Sequence, residues 1–370
     1  MSERFFNPTD IRWCDWRRVC DLLPGPPIKV SIATTNSSLA RAEELRDDVL
    51  RTYQVQIHPL VAPDPTIESV QAFVDDVLSA SPDWIIAIGG GSVLDTAKAA
   101  GLVANNGGNV SNHVNGTQQI TQPGIPLIAV PTTSGSGSEV TPYASITDTK
   151  ESRKISLSHD YLFPRFAVLD PSLTLSLPPR QTAISGMDAL SHAIEGYWSN
   201  RATPATDALA LSAVRLLMDQ LPKTKSSPGD VVSRQSAMEG SMLAGMTISN
   251  ARTTAVHAIS YPLTVFHGVP HGLACSLLLP SMIRFNSGGM TADKEQRLLD
   301  VLNVKSMGKI AESVERLQIQ LELPNRLGEV GIGKGEIGKI VENGCRPDRM
   351  ANNPKVISAG QLTEMLENIV

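Results

Sequence analysis

Asp188 and His192 lie four residues apart in Gly186-Met187-Asp188-Ala189-Leu190-Ser191-His192-Ala193-Ile194-Glu195. On a helix that spacing puts a carboxylate and an imidazole on one face, a turn apart. The neighbours are small and apolar, so the helix reads as buried. A buried carboxylate beside an imidazole is costly unless its charge is compensated. A metal ion would do this; a hydrogen-bonded Asp–His pair inside a core is the other reading. A second stretch favours the metal: Asn250-Ala251-Arg252-Thr253-Thr254-Ala255-Val256-His257-Ala258-Ile259-Ser260-Tyr261-Pro262, followed by His267-Gly268-Val269-Pro270-His271-Gly272. The chain has 7 histidines, and His192, His257, His267 and His271 fall in these two apolar segments. One carboxylate with two or three neutral imidazoles suits a divalent transition metal such as Fe(II) or Zn(II). Cys275 is the only cysteine nearby in sequence, and thiolate ligation is not suggested.

The elements that must hold these residues follow from the hydrophobic pattern. Up to about residue 178, short apolar runs alternate with helical segments. Strands are expected at 28–33, 55–57, 83–88, 126–130 and 167–169, with helices over 39–52 and from Pro63-Asp64-Pro65-Thr66 through Ser79. Residues 1–22 are expected to be irregular, with Trp13, Trp16 and Arg17-Arg18 on a short helix. Continuous runs such as Trp84-Ile85-Ile86-Ala87-Ile88 suit a buried parallel sheet. Pro178-Pro179 marks a boundary. Beyond it helical periodicity dominates over 183–198, 205–220, 231–248 and 251–262, with an exposed loop at 223–229 and amphipathic helices from about Gln296. The expected fold is therefore an α/β, doubly wound, Rossmann-like domain at 1–178 and an all-helical domain at 179–370 that carries the metal. A cleft between two such domains is a common place for a site.

Two loops in the first domain are suited to a nucleotide. Gly89-Gly90-Gly91-Ser92-Val93-Leu94-Asp95 follows a strand and opens a helix, the arrangement that brings backbone N–H groups to a phosphate. It departs from the usual dinucleotide fingerprint, because Leu94 occupies the third glycine position and the loop follows the third expected strand. A tight structural turn is the alternative. Pro131-Thr132-Thr133-Ser134-Gly135-Ser136-Gly137-Ser138-Glu139 offers hydroxyls and bare amides to a pyrophosphate or a ribose, or else is a surface linker.

Composition excludes several classes. The 370 residues are 41% hydrophobic and 19% charged with net charge −5, which gives no electrostatic footprint for nucleic acid and no basic membrane patch. No apolar window is long enough for a membrane span, and Met1-Ser2-Glu3-Arg4 lacks the apolar core of a leader. Cys14, Cys20, Cys275 and Cys345 are scattered without redox or zinc-finger spacing, as in a reduced, cytoplasmic protein. His58, His113 and His159 read as surface residues, and Met238, Met242 and Met246 as core packing.

Taken in order, GGGSVLDTAK (89–98), PTTSGSGSEVT (131–141), LDPSLTLSLPP (169–179), GMDALSHAIE (186–195) and the VHAISYPLTVFHGVPHG run to Gly272 resemble the iron-containing (group III) alcohol dehydrogenase family over nearly the whole chain. The resemblance implies the dehydroquinate synthase-like, two-domain architecture and a metal held by Asp188, His192, His257 and His271. It implies cofactor contacts at Gly89, Gly90, Gly91, Ser92, Asp95, Thr132, Thr133, Ser138 and Lys154, and a homodimer or larger homo-oligomer. Many NAD-preferring members carry Asp after the first strand; here that position is Thr35, which lacks the charge that repels a 2′-phosphate, so NAD and NADP both remain open. Many relatives also carry a histidine where this chain has Tyr261; Tyr261, His267 or water then takes the proton route.

Arg252-Thr253-Thr254 before His257 resembles the phosphonoacetaldehyde reductase branch of the family, as does the run 198–204. A guanidinium beside hydroxyls can cradle a phosphonate, giving reduction of phosphonoacetaldehyde to 2-hydroxyethylphosphonate as the expected reaction. The alternative is that Arg252 pairs with Glu195 or Glu239 and serves structure. Glu195, seven residues from Asp188, reads as an anchor for a neighbouring helix. A general short-chain alcohol dehydrogenase, a metal- and NAD-dependent lyase of the dehydroquinate synthase type, and a catalytically silent relative are the other readings. The small-molecule substrate is an aldehyde or alcohol in the favoured one.

Overall fold

The computed structural model describes residues 4–59, 64–345 and 347–370. Met1–Glu3 and Pro63, on which parts of the expectations rest, lie outside them. Two compact units are present. One holds residues 7–133 and 138–174; the other holds the chain from Leu175 onward, with Ser134–Gly137 and the N-terminal residues through Phe6.

The first unit is built on a six-stranded sheet. In chain order its elements are β1 (Asp10–Trp13), β2 (Lys29–Thr34), α1 (Leu39–Glu44), β3 (Gln54–Pro59), α2 (Ile67–Ala80), β4 (Trp84–Gly89), α3 (Gly91–Asn105), α4 (Val110–Val114), β5 (Leu127–Pro131), β6 (Tyr143–Asp148), β7 (Arg153–Ser158) and β8 (Phe166–Leu169). The sheet order is β1-β8-β5-β4-β2-β3, parallel throughout. Both faces are covered. Ile85 and Ala87 face a core shared with α2 and α3, while Ile86 and Ile88 face one shared with Trp16, Val19 and Leu45. Burial on both faces is why these strands read as continuous apolar runs. Thr66 caps α2 in a reciprocal capping box with Ser69.

Several expectations are corrected. Trp13 ends a strand paired with β8, and only Trp16–Leu22 forms a helical turn. The glycine run therefore follows the fourth strand. The β6–β7 hairpin was not legible, because its polar residues alternate with few apolar ones in a two-stranded ribbon. Helix α1 ends at Glu44 and continues as a wider turn over Leu45–Val49. His58 and His113 are buried, not superficial. His58 contacts Ser31 and Asp76 and lies edge-on to Phe73, whereas His113 Nε2 meets the Asn106 carbonyl at 3.0 Å.

The second unit is helical: α5 (Pro179–Trp198), α6 (Pro204–Ser226), α7 (Val231–Ala251), α8 (Ala255–His267), α9 (His271–Asn286), α10 (Ala292–Val301), α11 (Met307–Gln320), α12 (Ile337–Gly344), α13 (Pro347–Met350) and α14 (Ala359–Glu367). Helix α5 is buried on every side from Thr182 to Trp198 and forms the axis of this core. Helix α6 runs through the expected loop to Ser226, because Leu221 and Thr224 are buried and the Thr224 hydroxyl bonds the Leu221 carbonyl. The four cysteines are unpaired. Among the described residues no helix is long and apolar enough to cross a membrane.

One buried cation organises the loop after β5. Lys98 on α3 donates to the carbonyls of Ser138, Thr141 and Tyr143 and pairs with Asp95 at 3.2 Å. Burial pushes the neighbouring Glu139 carboxyl up to about 7, against the pull of Lys98. The unfolded chain releases this proton near the ordinary value of 4.5, so between the two values the folded state holds a proton that the unfolded state has lost. Stability therefore falls as pH rises through this window, by about 1.4 kcal/mol per unit, and levels off above it. Urea midpoints measured at both ends of the window should show this fall, and Glu139→Gln should flatten it.

Candidate active site and metal centre

Three helices of the second unit converge on one buried carboxylate. Asp188 stands in the middle of α5, His257 in the first turn of α8 and His271 at the start of α9. His257 Nε2 lies 3.6 Å from Asp188 Oδ1, and His271 Nε2 lies 3.8 Å from the same oxygen. Helix α9 reaches this close because residue 272 is glycine: a Cβ there would stand 2.3 Å from the Ile184 carbonyl oxygen and 3.0 Å from Asp188 Cβ. His192, one turn along α5, stacks on His257 with ring centroids 4.5 Å apart.

Glu195 sets the geometry of His257. Thr254, at the start of α8, makes no side-chain cap of its own. The Glu195 carboxylate reaches across from α5 instead. It accepts the Thr254 amide at 2.9 Å and hydroxyl at 2.6 Å, the Val256 amide at 2.9 Å, and His257 Nδ1. A carboxylate at a helix N-terminus is favoured by the unpaired N–H groups and the dipole. Burial works to raise the Glu195 carboxyl, but His257 and Thr254 hold it below its ordinary value. Burial works to lower the His257 ring, but Cys275, Glu195 and Asp188 raise it well above its ordinary value. Because Nδ1 keeps its proton against Glu195, a cation displacing the Nε2 proton would meet that lone pair on the side of Asp188.

The residues fit a divalent cation. Asp188 Oδ1, His192 Nδ1 and His257 Nε2 are buried without a hydrogen-bond partner, and buried polar atoms in a folded protein ordinarily have one. Burial opposes ionisation of Asp188, yet the imidazoles of His192, His271 and His257 hold its carboxyl well below the usual range. Burial pushes His192 down to about 4 despite Asp188, so its ring is neutral and able to donate a lone pair. Donor atoms of Asp188, His257, His271 and Cys275 all lie within 4.8 Å of one another. Thiolate ligation by Cys275, not suggested by the sequence, is thus within reach of this group. Its signal is the four-residue spacing from His271 on α9, which stacks the two side chains on one face. His192 is not in that tight group.

The remaining expected residues fall in distinct places. Tyr261 is buried and stacks on His271 with centroids 5.8 Å apart, beside the cluster. His267 is at the far end of α8, with Nε2 3.8 Å from Glu336 Oε2. Arg252 is exposed and ends α7 with φ of 62°. The Thr254 hydroxyl is engaged with Glu195 and with Trp198 Nε1, and Thr253 Oγ1 accepts from Arg349.

In the first unit, the chain steps from β2 outward to β3 and then back across to β4, so the order reverses between β2 and β4. Ligands of open parallel sheets bind beyond the strand ends at such a point. Thr35 follows β2, and Gly90 caps α3 directly after β4. Gly90 approaches Thr133 so closely that a Cβ would lie 3.3 Å from its methyl, and Thr132 N donates to the Gly89 carbonyl at 3.0 Å. Gly89, Gly90, Gly91, Thr132 and Thr133 are thus brought together. Ser92 Oγ accepts the Asp64 amide, and Lys154 pairs with Asp64 beside it. Asp95 and Ser138 bond each other, and Asp95 also accepts the Ser145 amide at 2.9 Å. These two fix the loop internally.

Glu195→Ala should strand the buried Thr254 and Val256 amides and free His257 to take its other tautomer. We expect a loss of about 3–5 kcal/mol in denaturant unfolding, as for other broken buried pairs, together with a metal content well below one per chain by elemental analysis.

Residues 182–370 match the Fe-containing alcohol dehydrogenase family, C-terminal, and residues 19–171 match Iron-containing alcohol dehydrogenase. The chain is 34% identical over 311 residues to long-chain-alcohol dehydrogenase 1 of Geobacillus thermodenitrificans, covering 80% of this chain and 77% of that protein. It is 32% identical over 315 residues to sulfoacetaldehyde reductase of Bilophila wadsworthia, covering 82% and 81%. The structure of sulfoacetaldehyde reductase from Bifidobacterium kashiwanohense in complex with NAD+ superposes with a TM-score of 0.93 at 29% identity, covering 100% of this chain and 99% of that one. The chain belongs to the iron-containing alcohol dehydrogenase family of oxidoreductases.

Proposed function

We propose that the protein reduces a short aldehyde bearing an anionic group, with phosphonoacetaldehyde to 2-hydroxyethylphosphonate as the best reading, using a metal held by Asp188, His192, His257 and His271. The observation that carries the metal is the set of buried polar atoms around Asp188 that make no hydrogen bond. We assign the metal and substrate to the helical domain, 179–370, and the cofactor to 1–178. Iron is the favoured metal on family grounds, and the oxygen and nitrogen donors are equally compatible with zinc. When bound, the metal supplies Lewis acidity toward a carbonyl oxygen and the reduced nicotinamide supplies the hydride.

The chain's own residues do the positioning. Glu195 fixes the His257 tautomer, a device that orients metal-binding imidazoles generally. Asp188 contributes the negative charge that a divalent cation requires. The apolar residues of α5, α8 and α9 keep water from Asp188, His192 and His257. Tyr261, against His271, is the nearest hydroxyl-bearing ring for a proton route, with His267 as the second candidate. Gly89–Ser92 at the N-terminus of α3 supports a pyrophosphate, with Thr132 and Thr133 alongside. NAD is favoured because a structural relative was solved with NAD+; Thr35, with its hydroxyl bonded to Ser37 at 2.8 Å, leaves NADP(H) admissible.

Support for an anionic substrate comes from two sources. One is the positive charge at the α7–α8 junction, where Arg252 precedes Thr253. The other is the sulfoacetaldehyde reductases among the relatives, whose named substrate is a two-carbon aldehyde ending in an oxyanion. The second reading, a general alcohol dehydrogenase, is favoured by the relative named for long-chain alcohols.

Nicotinamide absorbance tests the proposal. Fe(II)-loaded protein is offered phosphonoacetaldehyde, sulfoacetaldehyde and propanal, each with NADH and NADPH. Preferential turnover of the anionic aldehydes is expected, whereas equal or better turnover of propanal would leave the general dehydrogenase. A chelator should abolish activity and Fe(II) restore it. The ligand set is tested separately by elemental analysis: His192→Ala should lower metal content severalfold, and Cys275→Ser should not. The reverse result would make the thiolate the fourth ligand.

A further inference from the structure

Arg349 occupies a position that nothing in the sequence pattern singles out. It lies on α13, a short helix whose flank is tied to the start of α8. Its guanidinium donates to Thr253 Oγ1, and Asn352 Nδ2 donates to the Thr253 carbonyl at 3.2 Å. The next residue, Asn353, exchanges hydrogen bonds with the buried Asn286 at 2.9 and 3.0 Å. The guanidinium carbon stands 4.9 Å from the centroid of the Tyr261 ring. The same ring stacks on His271 at 28° between planes. One aromatic ring therefore contacts both a cation and an imidazole of the metal cluster.

The way this cation is held matters. An aromatic face attracts a guanidinium without neutralising it, and a threonine hydroxyl accepts one N–H without removing charge. Its partners among the described residues are the Thr253 hydroxyl and the Tyr261 ring. The side chain is partly buried, where a charge interacts with a ligand more strongly than at an open surface. Arg252, by contrast, is exposed at the end of α7. An arginine fork with N–H groups remaining beyond Thr253 matches two oxygens of a phosphonate, sulfonate or carboxylate.

We propose that Arg349, seated on Tyr261 and Thr253, is the residue that binds the anionic end of the substrate while its aldehyde faces the Asp188–His257–His271 cluster. This deepens the anionic-aldehyde reading and rests on it. Arg349 is then the specificity-determining residue, and Tyr261 positions both the guanidinium and His271. The ligand class is a two- or three-carbon aldehyde ending in an oxyanion.

The test is the ratio of kcat/KM for phosphonoacetaldehyde, and for sulfoacetaldehyde, to kcat/KM for propanal, measured on one preparation of the Fe(II)-loaded full chain. Such a ratio is independent of the folded or metal-loaded fraction. Arg349→Ala should lower it roughly 10- to 100-fold, the range for a lost charge-assisted pair, with most of the change in KM for the anionic aldehydes. Arg349→Lys should restore part of it, since a point charge replaces the fork, and Arg252→Ala should lower it less than Arg349→Ala does. If the wild-type protein favours the anionic aldehydes but Arg349→Ala leaves the ratio within about twofold, the anchor assignment is overturned and the anionic-substrate reading stands. If the wild-type protein shows no such preference, that reading fails and the anchor with it.

Discussion

The contact between the Glu195 carboxylate and the first turn of α8 is the constraint on which the site depends. A buried carboxylate far from water is costly, and here the cost is offset by donors that themselves need an acceptor: the Thr254 and Val256 amides at a helix start without its own cap. One contact therefore fixes the entry of α8, the ring orientation of His257 and the face that Nε2 presents to Asp188. The same α5 helix carries Asp188 and His192 two turns and one turn earlier. Two elements are in this way locked together at the point where the chemistry is required.

Close approach is the second requirement, and small residues provide it. Gly272 lets α9 lie against the Ile184 carbonyl, which brings His271 to Asp188. Gly137, at φ of 62°, would place a Cβ 2.5 Å from the Gly245 Cα, so the loop through Ser134–Gly137 packs directly on α7. Neither contact tolerates a side chain. The glycines serve interhelical distance here and not flexibility.

The first unit follows different physics. Its strands are held by burial on both faces, and its loops by a buried cation. Lys98 satisfies carbonyls that would otherwise point into an apolar interior, and Asp95 with Ser138 closes the same loop from the other side. Residues that the family resemblance would assign to a cofactor thus divide into two groups. Gly89, Gly90, Thr132 and Thr133 line the strand ends, whereas Asp95 and Ser138 hold the walls.

Local sequence determined a good deal. The apolar runs specified a parallel sheet, the 3.6-residue period specified the long helices, and the four-residue spacing of Asp188 and His192 placed an acid and an imidazole on one face. These are near-neighbour properties, fixed by backbone geometry alone. What joined Asp188 to His257 and His271 was tertiary structure, because residues some 70–80 positions apart meet only when three helices pack. The burial of His58 and His113, the proximity of Cys275, and the placing of Arg349 over Tyr261 were decided the same way. A polar side chain's environment is set by what packs against it, and no local spacing encodes a partner that arrives from another helix.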